Sequence, residues 1–197
     1  MTDWEAQYQA GDTPWDHGEA APPLHELLET RPAEIWGSGA VLVPGCGRGH
    51  DAALLARAGH RVIGIDLSAR ALEEARRLYG DLAGLDFVVG DFLSGTLEVG
   101  EPVSAIWEHT CFCAIPLESR GAYAAAAARL LPAGGRLNGV FFLDPKVEEG
   151  PPFGVERDEL EPIFRESFDF RWEARPTRVF SSREDGMELM VEMVRRP

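Results

Sequence analysis

The feature that most constrains this chain lies between Val41 and Asp51, where Val-Leu-Val-Pro-Gly-Cys-Gly-Arg-Gly-His-Asp passes from an apolar strand through a glycine-rich turn into a helix. Ala40 to Val43 is a short apolar run with β-branched residues, suited to a buried parallel strand, and Asp51 to Ala58 carries strong helix formers at helical spacing. Gly45, Gly47 and Gly49 alternate between them. Glycines at such positions permit positive φ and let a ligand approach bare backbone, and the N–H groups that open the helix point at whatever binds there. A tight strand-to-helix connection also calls for glycine on steric grounds alone. The turn by itself leaves both readings open.

The next segment narrows the choice. Arg61 to Asp66 is an apolar strand that ends in a carboxylate, and Asp66 lies 17 residues beyond Gly49. That is close to the separation expected of an acid that accepts hydrogen bonds from ribose hydroxyls, so the two features together predict a βαβ adenosine site. The glycines follow Gly-x-Gly-x-Gly rather than the Gly-x-Gly-x-x-Gly of dinucleotide sites, and a Walker lysine-serine pair is absent. Both facts favour a ligand without a phosphate to neutralise.

At these residues, Val41 to Ala52 and Gly59 to Ser68, the chain resembles the S-adenosylmethionine-dependent methyltransferases of the thiopurine S-methyltransferase family, and within it the thiol and halide methyltransferase branch. The resemblance covers most of the chain and is densest from Trp4 to Phe153. It implies an α/β fold: a doubly wound, Rossmann-like class I methyltransferase sheet, mostly parallel with an antiparallel last strand and helices on both faces. It implies S-adenosylmethionine as cofactor, with Gly45, Gly47, Gly49 and Asp66 among its contacts. Trp4 to Trp15 reads as a short helix stopped by Gly11 and a Thr-Pro turn. Family members carry a similar segment that folds over the cofactor, and Trp4 and Trp15 fall at the matching positions. Aromatic faces stabilise a sulfonium cation, and a closed site strengthens its electrostatics.

Further along, Pro22 to Leu28 starts a helix, and Ser68 is the expected N-cap of a helix to Tyr79 with Ala71, Leu72, Ala75 and Leu78 on one face. The third strand, Asp86 to Val89, ends in Gly90-Asp91-Phe92. An acid at a strand's carboxyl end can accept from an adenine amino group, or it can cap a turn; the resemblance favours Asp91 as the adenine contact, with Phe92 beside the ring. Pro102 to Trp107 leads into Glu108-His109-Thr110-Cys111-Phe112-Cys113-Ala114-Ile115-Pro116. Relatives often read Asp-Tyr-Thr-Phe-Phe-Cys-Ala there, so Glu108 stands where an Asp is common and His109 where a Tyr is common; the resemblance implies Glu108 as a cofactor contact, and the departure bears on the acceptor more than on the cofactor. A histidine without a visible partner reads equally as a base or as a surface residue. Cys111 and Cys113 read as small packing residues.

Arg120 opens an alanine-rich helix from Ser119 to Leu131, and the resemblance places it over a substrate or cofactor carboxylate. A fifth strand runs from Arg136 to Leu143. Gly150-Pro151-Pro152-Phe153 resembles a substrate-wall loop of the thiol and halide branch. It precedes a helix from Arg157 to Phe164 and strands from Phe168 to Ala174 and from Met187 to Arg195.

A chain of 197 residues with 45% apolar and 26% charged content fits a single domain, residues 1–197, with residues 1–36 as N-terminal lid and helix. Its formal charge of −14 argues against nucleic acid as a partner. Three cysteines with no Cys-x-x-Cys suggest neither a disulfide framework nor a bound metal. The N-terminus lacks a signal-like pattern and no apolar run approaches the ~20 residues of a membrane span, so a cytoplasmic location and no membrane partner are expected. A monomer is compatible with the sequence.

The expected function is methyl transfer to a small soft nucleophile (thiol, thiopurine, halide or thiocyanate), with His109 and Arg120 as the catalytic candidates. Soft nucleophiles need alignment more than a strong base. Methyl transfer to O or N of a small metabolite, a non-catalytic S-adenosylmethionine-binding module and a nicotinamide oxidoreductase are the competing readings.

Overall fold

The computed structural model describes residues 2–145, 149–184 and 186–197. Its sheet contains β1 (Ala40–Pro44), β2 (Val62–Asp66), β3 (Leu85–Val89), β4 (Val103–His109), β5 (Arg136–Phe142), β6 (Phe168–Ala174) and β7 (Glu188–Arg195). The strands stand in the order β3-β2-β1-β4-β5-β7-β6. Strands β1 to β5 pair in parallel, and β7 runs antiparallel between β5 and β6. This is the class I methyltransferase order, with the antiparallel last strand that the resemblance implies. Six helices accompany it among the described residues: α1 (Trp4–Ala10), α2 (Pro22–Thr30), α3 (His50–Arg57), α4 (Ala69–Tyr79), α5 (Arg120–Leu130) and α6 (Arg157–Phe164).

Both faces of the sheet are covered, which is why its inner strands read as unbroken apolar runs rather than alternating ones. On one face Leu42, Ile63, Ile65, Ile106 and Phe141 pack against α5 and α6 through Tyr123, Ala127, Leu160 and Phe164. On the other, Val41, Val43, Val62, Ala105 and Trp107 pack against Leu24, Leu27, Ala52, Leu55, Leu72 and Ala75 of α2, α3 and α4. Ser68 caps α4 as expected, its Oγ accepting from the Ala71 N–H at 3.0 Å. Leu78 departs from the expectation: it is 47% exposed, because the buried face of α4 ends at Ala75.

Chain order reverses between β1 and β4, and open α/β sheets bind ligands in the crevice outside the carboxyl ends at that reversal. The glycine turn after β1 and the loop after β4 meet there. A cleft of about 480 Å³ also opens at the amino ends of the same strands, beside Gly39, Pro102 and Ser104. It lies at the opposite edge from the crevice, and its arginine, Arg61, is already paired with Glu101 and Asp86.

The loop after β4 is held from below by an aromatic cluster: Phe112 packs edge-on against Tyr123 and Phe141, both with ring centres at 5.3 Å, and lies 5.7 Å from Phe164. Phe164 also meets Phe168 at 5.9 Å and is fully buried. Phe164→Ala is therefore expected to lower stability by about 3–5 kcal/mol, read as a lower urea midpoint at unchanged slope.

Candidate active site

Each glycine of the turn has positive φ (59° at Gly45, 53° at Gly47, 78° at Gly49), and each is pressed against the protein itself. A Cβ would lie 2.9 Å from Cys111 Cβ at Gly45, 2.6 Å from Tyr8 Oη at Gly47 and 2.7 Å from the Phe87 ring at Gly49. The Gly47 N–H donates to Asp66 Oδ2 at 2.8 Å, and the Ser68 N–H donates to Asp66 Oδ1 at 2.9 Å. Burial pushes the Asp66 carboxyl above its usual range, opposed by those two N–H groups. Beside it, Leu67 is 54% and Val89 49% exposed. They are an apolar patch at the carboxyl ends of β2 and β3, where Val89 pairs with Asp66.

The N-terminal segment lies across this edge. Glu5 accepts from Ser68 Oγ at 2.7 Å and from the Arg70 N–H at 3.1 Å, tying α1 to the start of α4. Tyr8 is buried over Gly47, and the Trp15 indole N–H donates to its hydroxyl at 3.2 Å. The rings of Trp4 and Trp15 meet edge to face at 5.2 Å. Asp16 closes the segment on Arg48 and on His50 Nε2, the latter at 3.1 Å, while Arg48 also reaches Glu74 and Thr13. Burial alone would raise the Asp16 carboxyl; the bonds from His50 and Arg48 outweigh it and hold the group well below the carboxylate range.

A second polar cluster lies at the end of β4. His109 Nδ1 is 3.2 Å from Asp51 Oδ2, and that oxygen also accepts the Trp107 indole N–H at 2.7 Å. Asp51 Oδ1 accepts the Ala21 N–H at 2.7 Å. His109 Nε2 is buried and has no hydrogen-bond partner among the described residues. Burial alone would lower the imidazole's pKa; the Asp51 hydrogen bond and charge outweigh it and raise it. The same face carries Phe180, 6.3 Å from His109, and Arg183, whose guanidinium lies 3.9 Å from the Phe142 ring centre and 3.8 Å from Glu188. Both come from the segment between β6 and β7. Glu26 of α2 fixes that segment by accepting from Thr177 N, Thr177 Oγ1 and Arg178 N at 2.7–3.0 Å. Next to His109, Thr110 adopts φ 66°, a strained conformation for a β-branched residue and one concentrated at functional edges.

The structure thus brings Trp4, Trp15, Gly45, Gly47, Gly49 and Asp66 to one part of the edge and His109 to the neighbouring part. Asp91 stands exposed after β3 and caps a short 3-10 turn through the Leu93 N–H at 2.8 Å. Three side chains lie elsewhere than expected. Phe92 turns into the core and packs on Tyr123 at 5.0 Å, because its neighbours Ile65 and Leu97 belong to the α5 face. Glu108 is buried on that same face, one oxygen accepting the Phe112 N–H at 2.7 Å and the other the Tyr123 hydroxyl, so it shapes the loop from beneath. Arg120 donates to the carbonyls of Phe153 (3.2 Å) and Gly154 (2.7 Å) and lies over the Phe112 ring. It braces the proline-rich loop instead of facing open space. Asp51, Tyr8, Leu67, Phe180 and Arg183 also lie at this edge, without a role expected from the sequence. Only Asp51 carried a local signal, as an acid two residues past the last turn glycine.

Burial raises the Glu108 carboxyl from 4.5 to about 7, opposed by the Phe112 N–H and the Tyr123 hydroxyl. Between those values the folded state holds a proton that the unfolded chain has lost. This stabilisation is complete below pH 4.5 and is lost as pH rises through 7. Glu108→Gln should remove about 3 kcal/mol of that pH dependence, seen as a flatter stability profile between pH 4.5 and 7.5 in urea denaturation.

The family model for thiopurine S-methyltransferase matches residues 1–196. A probable thiol methyltransferase 2 of Arabidopsis thaliana is 34% identical over 163 residues, covering 81% of this chain and 70% of the relative. Thiocyanate methyltransferase 1 of Brassica oleracea is also 34% identical with the same coverage. Among solved structures, a 1,6-didemethyltoxoflavin N1-methyltransferase of Burkholderia thailandensis with bound S-adenosylhomocysteine superposes with a TM-score of 0.71 at 22% identity, over 98% of this chain and 85% of that one. With its sheet order and glycine turn, the chain belongs to the thiopurine S-methyltransferase family and is an S-adenosylmethionine-dependent methyltransferase.

Proposed function

We propose that the enzyme methylates a small soft nucleophile, a thiol, thiopurine, halide or thiocyanate, at the crevice between the glycine turn and the end of β4. The observation that carries this reading is the nearly buried Arg183 guanidinium over the Phe142 ring and 3.8 Å from Glu188, at the part of the edge that also carries His109 and Phe180. A fixed, nearly buried cation beside an aromatic ring, its charge balanced in part by Glu188, suits a compact, polarisable anion or thiol better than a large polar partner. The relatives named for thiol and thiocyanate methylation point the same way.

The cofactor fits the residues present. Asp66, anchored by two backbone N–H groups, keeps lone pairs for ribose hydroxyls. Leu67 and Val89 offer an apolar bed for adenine, with Asp91 at its rim for the amino group. Trp4 and Trp15 supply aromatic faces for the sulfonium end, and the docked α1 excludes water. Bound there, S-adenosylmethionine supplies an activated methyl group for in-line displacement. The remaining work of the chain is to hold the acceptor in line and neutralise its charge, a role for Arg183, while Arg120 keeps the Phe153 loop in place.

Three experiments check this. In a screen across aryl and alkyl thiols, thiopurines, thiocyanate, iodide and small phenols, thiols and soft anions should turn over best. Arg183→Ala should raise KM for thiocyanate about tenfold or more; faster turnover of phenols than of thiols would refute the reading. Gly47→Ala would force a Cβ against Tyr8 at positive φ, so S-adenosylhomocysteine affinity by calorimetry should fall about tenfold and the segment before Ala21 should become protease-sensitive.

A further inference from the structure

We propose that Asp51 and His109 act together as the base that takes the proton from a neutral thiol, so that the enzyme uses weakly acidic thiols as well as anions that arrive already ionised. The inference rests on the acceptor reading given above.

Asp51 is held by three donors, the Ala21 N–H, the Trp107 indole N–H and His109 Nδ1. A carboxylate so placed can only accept, which fixes neutral His109 as the Nδ1–H tautomer with its lone pair on Nε2. That nitrogen is buried and, among the described residues, unpartnered. A histidine serving the core would have both nitrogens satisfied, whereas one aimed by a carboxylate and left unpaired on the other side has the arrangement of a base awaiting a donor. The placement is right as well. His109 ends β4 at the strand-order reversal, and Asp51 sits in the first turn of α3, two residues past Gly49, so base and cofactor turn share one helix start.

Charged groups from every packed element face the imidazole. Asp51 of α3 and Glu188 of β7 favour its protonated form, Arg183 of the β6–β7 segment opposes it, and His17, stacked on Phe180 at 3.9 Å, lies in the same field. In the step, the S–H bond breaks, the proton goes to His109 Nε2, and the sulfur keeps the electron pair that would form the new bond to the methyl group as the donor's methyl–sulfonium bond breaks, the donor's sulfur leaving as a neutral thioether. The imidazolium, stabilised by Asp51, then releases its proton to solvent. No other reactant is required.

The test compares an alkyl thiol with thiocyanate, using wild type, His109→Gln and Asp51→Asn. For the thiol, kcat/KM of the wild type should rise with pH along a limb set by His109; for thiocyanate that limb should be absent. The thiol-to-thiocyanate ratio of kcat/KM at pH 7 should fall about 100-fold in His109→Gln. In Asp51→Asn the limb should move to lower pH. Nitrogen-15 NMR of the wild type, which needs neither turnover nor a variant that folds, should show neutral His109 protonated on Nδ1 and titrating above 6.5. A ratio unchanged in His109→Gln, or an Nε2–H tautomer, overturns the proposal. Wild-type enzyme that turns over neither acceptor would overturn the acceptor reading itself, and this step with it.

Discussion

The arrangement of this enzyme depends on the close packing of three glycines. Gly45, Gly47 and Gly49 each stand where a single added carbon would strike another element: the loop after β4, helix α1 and strand β3 respectively. The turn therefore gathers the two sides of the strand-order reversal and the N-terminal segment around one short stretch of backbone, at positive φ that other residues adopt only with strain. The Gly47 N–H bond to Asp66 joins that backbone to β2, so the acid at the end of the second strand is positioned by the turn itself.

Around this pivot the edge divides into two environments. Toward β2 and β3 it is open and apolar, with Leu67 and Val89 beside an anchored carboxylate. Toward β4 and β5 it is buried and charged, with Asp51, His109, Arg183 and Glu188 among Trp107, Phe142 and Phe180. A sulfonium donor and the soft acceptor we propose need these different surroundings side by side, and the N-terminal segment covers the first of them through Glu5, Tyr8 and Asp16 rather than through its tryptophans alone.

Much of this was legible in the sequence because the signals are local. Apolar runs, the Ser68 cap and Gly11 at the end of α1 placed the elements within a few residues, and the spacing from Gly49 to Asp66 placed the βαβ unit. What escaped was direction and distant partnership. Glu108 and His109 are adjacent, and a strand turns neighbours to opposite faces, so one serves the core and the other the crevice. Nothing local says which. His109 lacked a visible partner because Asp51 lies 58 residues earlier, and Arg183 was hidden in a connection whose fold is set by Glu26 of α2. Arg120, conspicuous at a helix start, is consumed by loop carbonyls that no sequence pattern announces.

The most direct test of the two-part edge is a crystal structure of the enzyme with S-adenosylhomocysteine and thiocyanate. The ribose is predicted on Asp66, with the adenosine along the Gly45–Gly49 turn beneath α1, and the anion between Arg183 and His109. Thiocyanate bound beside Arg120 or away from the carboxyl edge, or a cofactor product seated elsewhere than against Asp66, would contradict it.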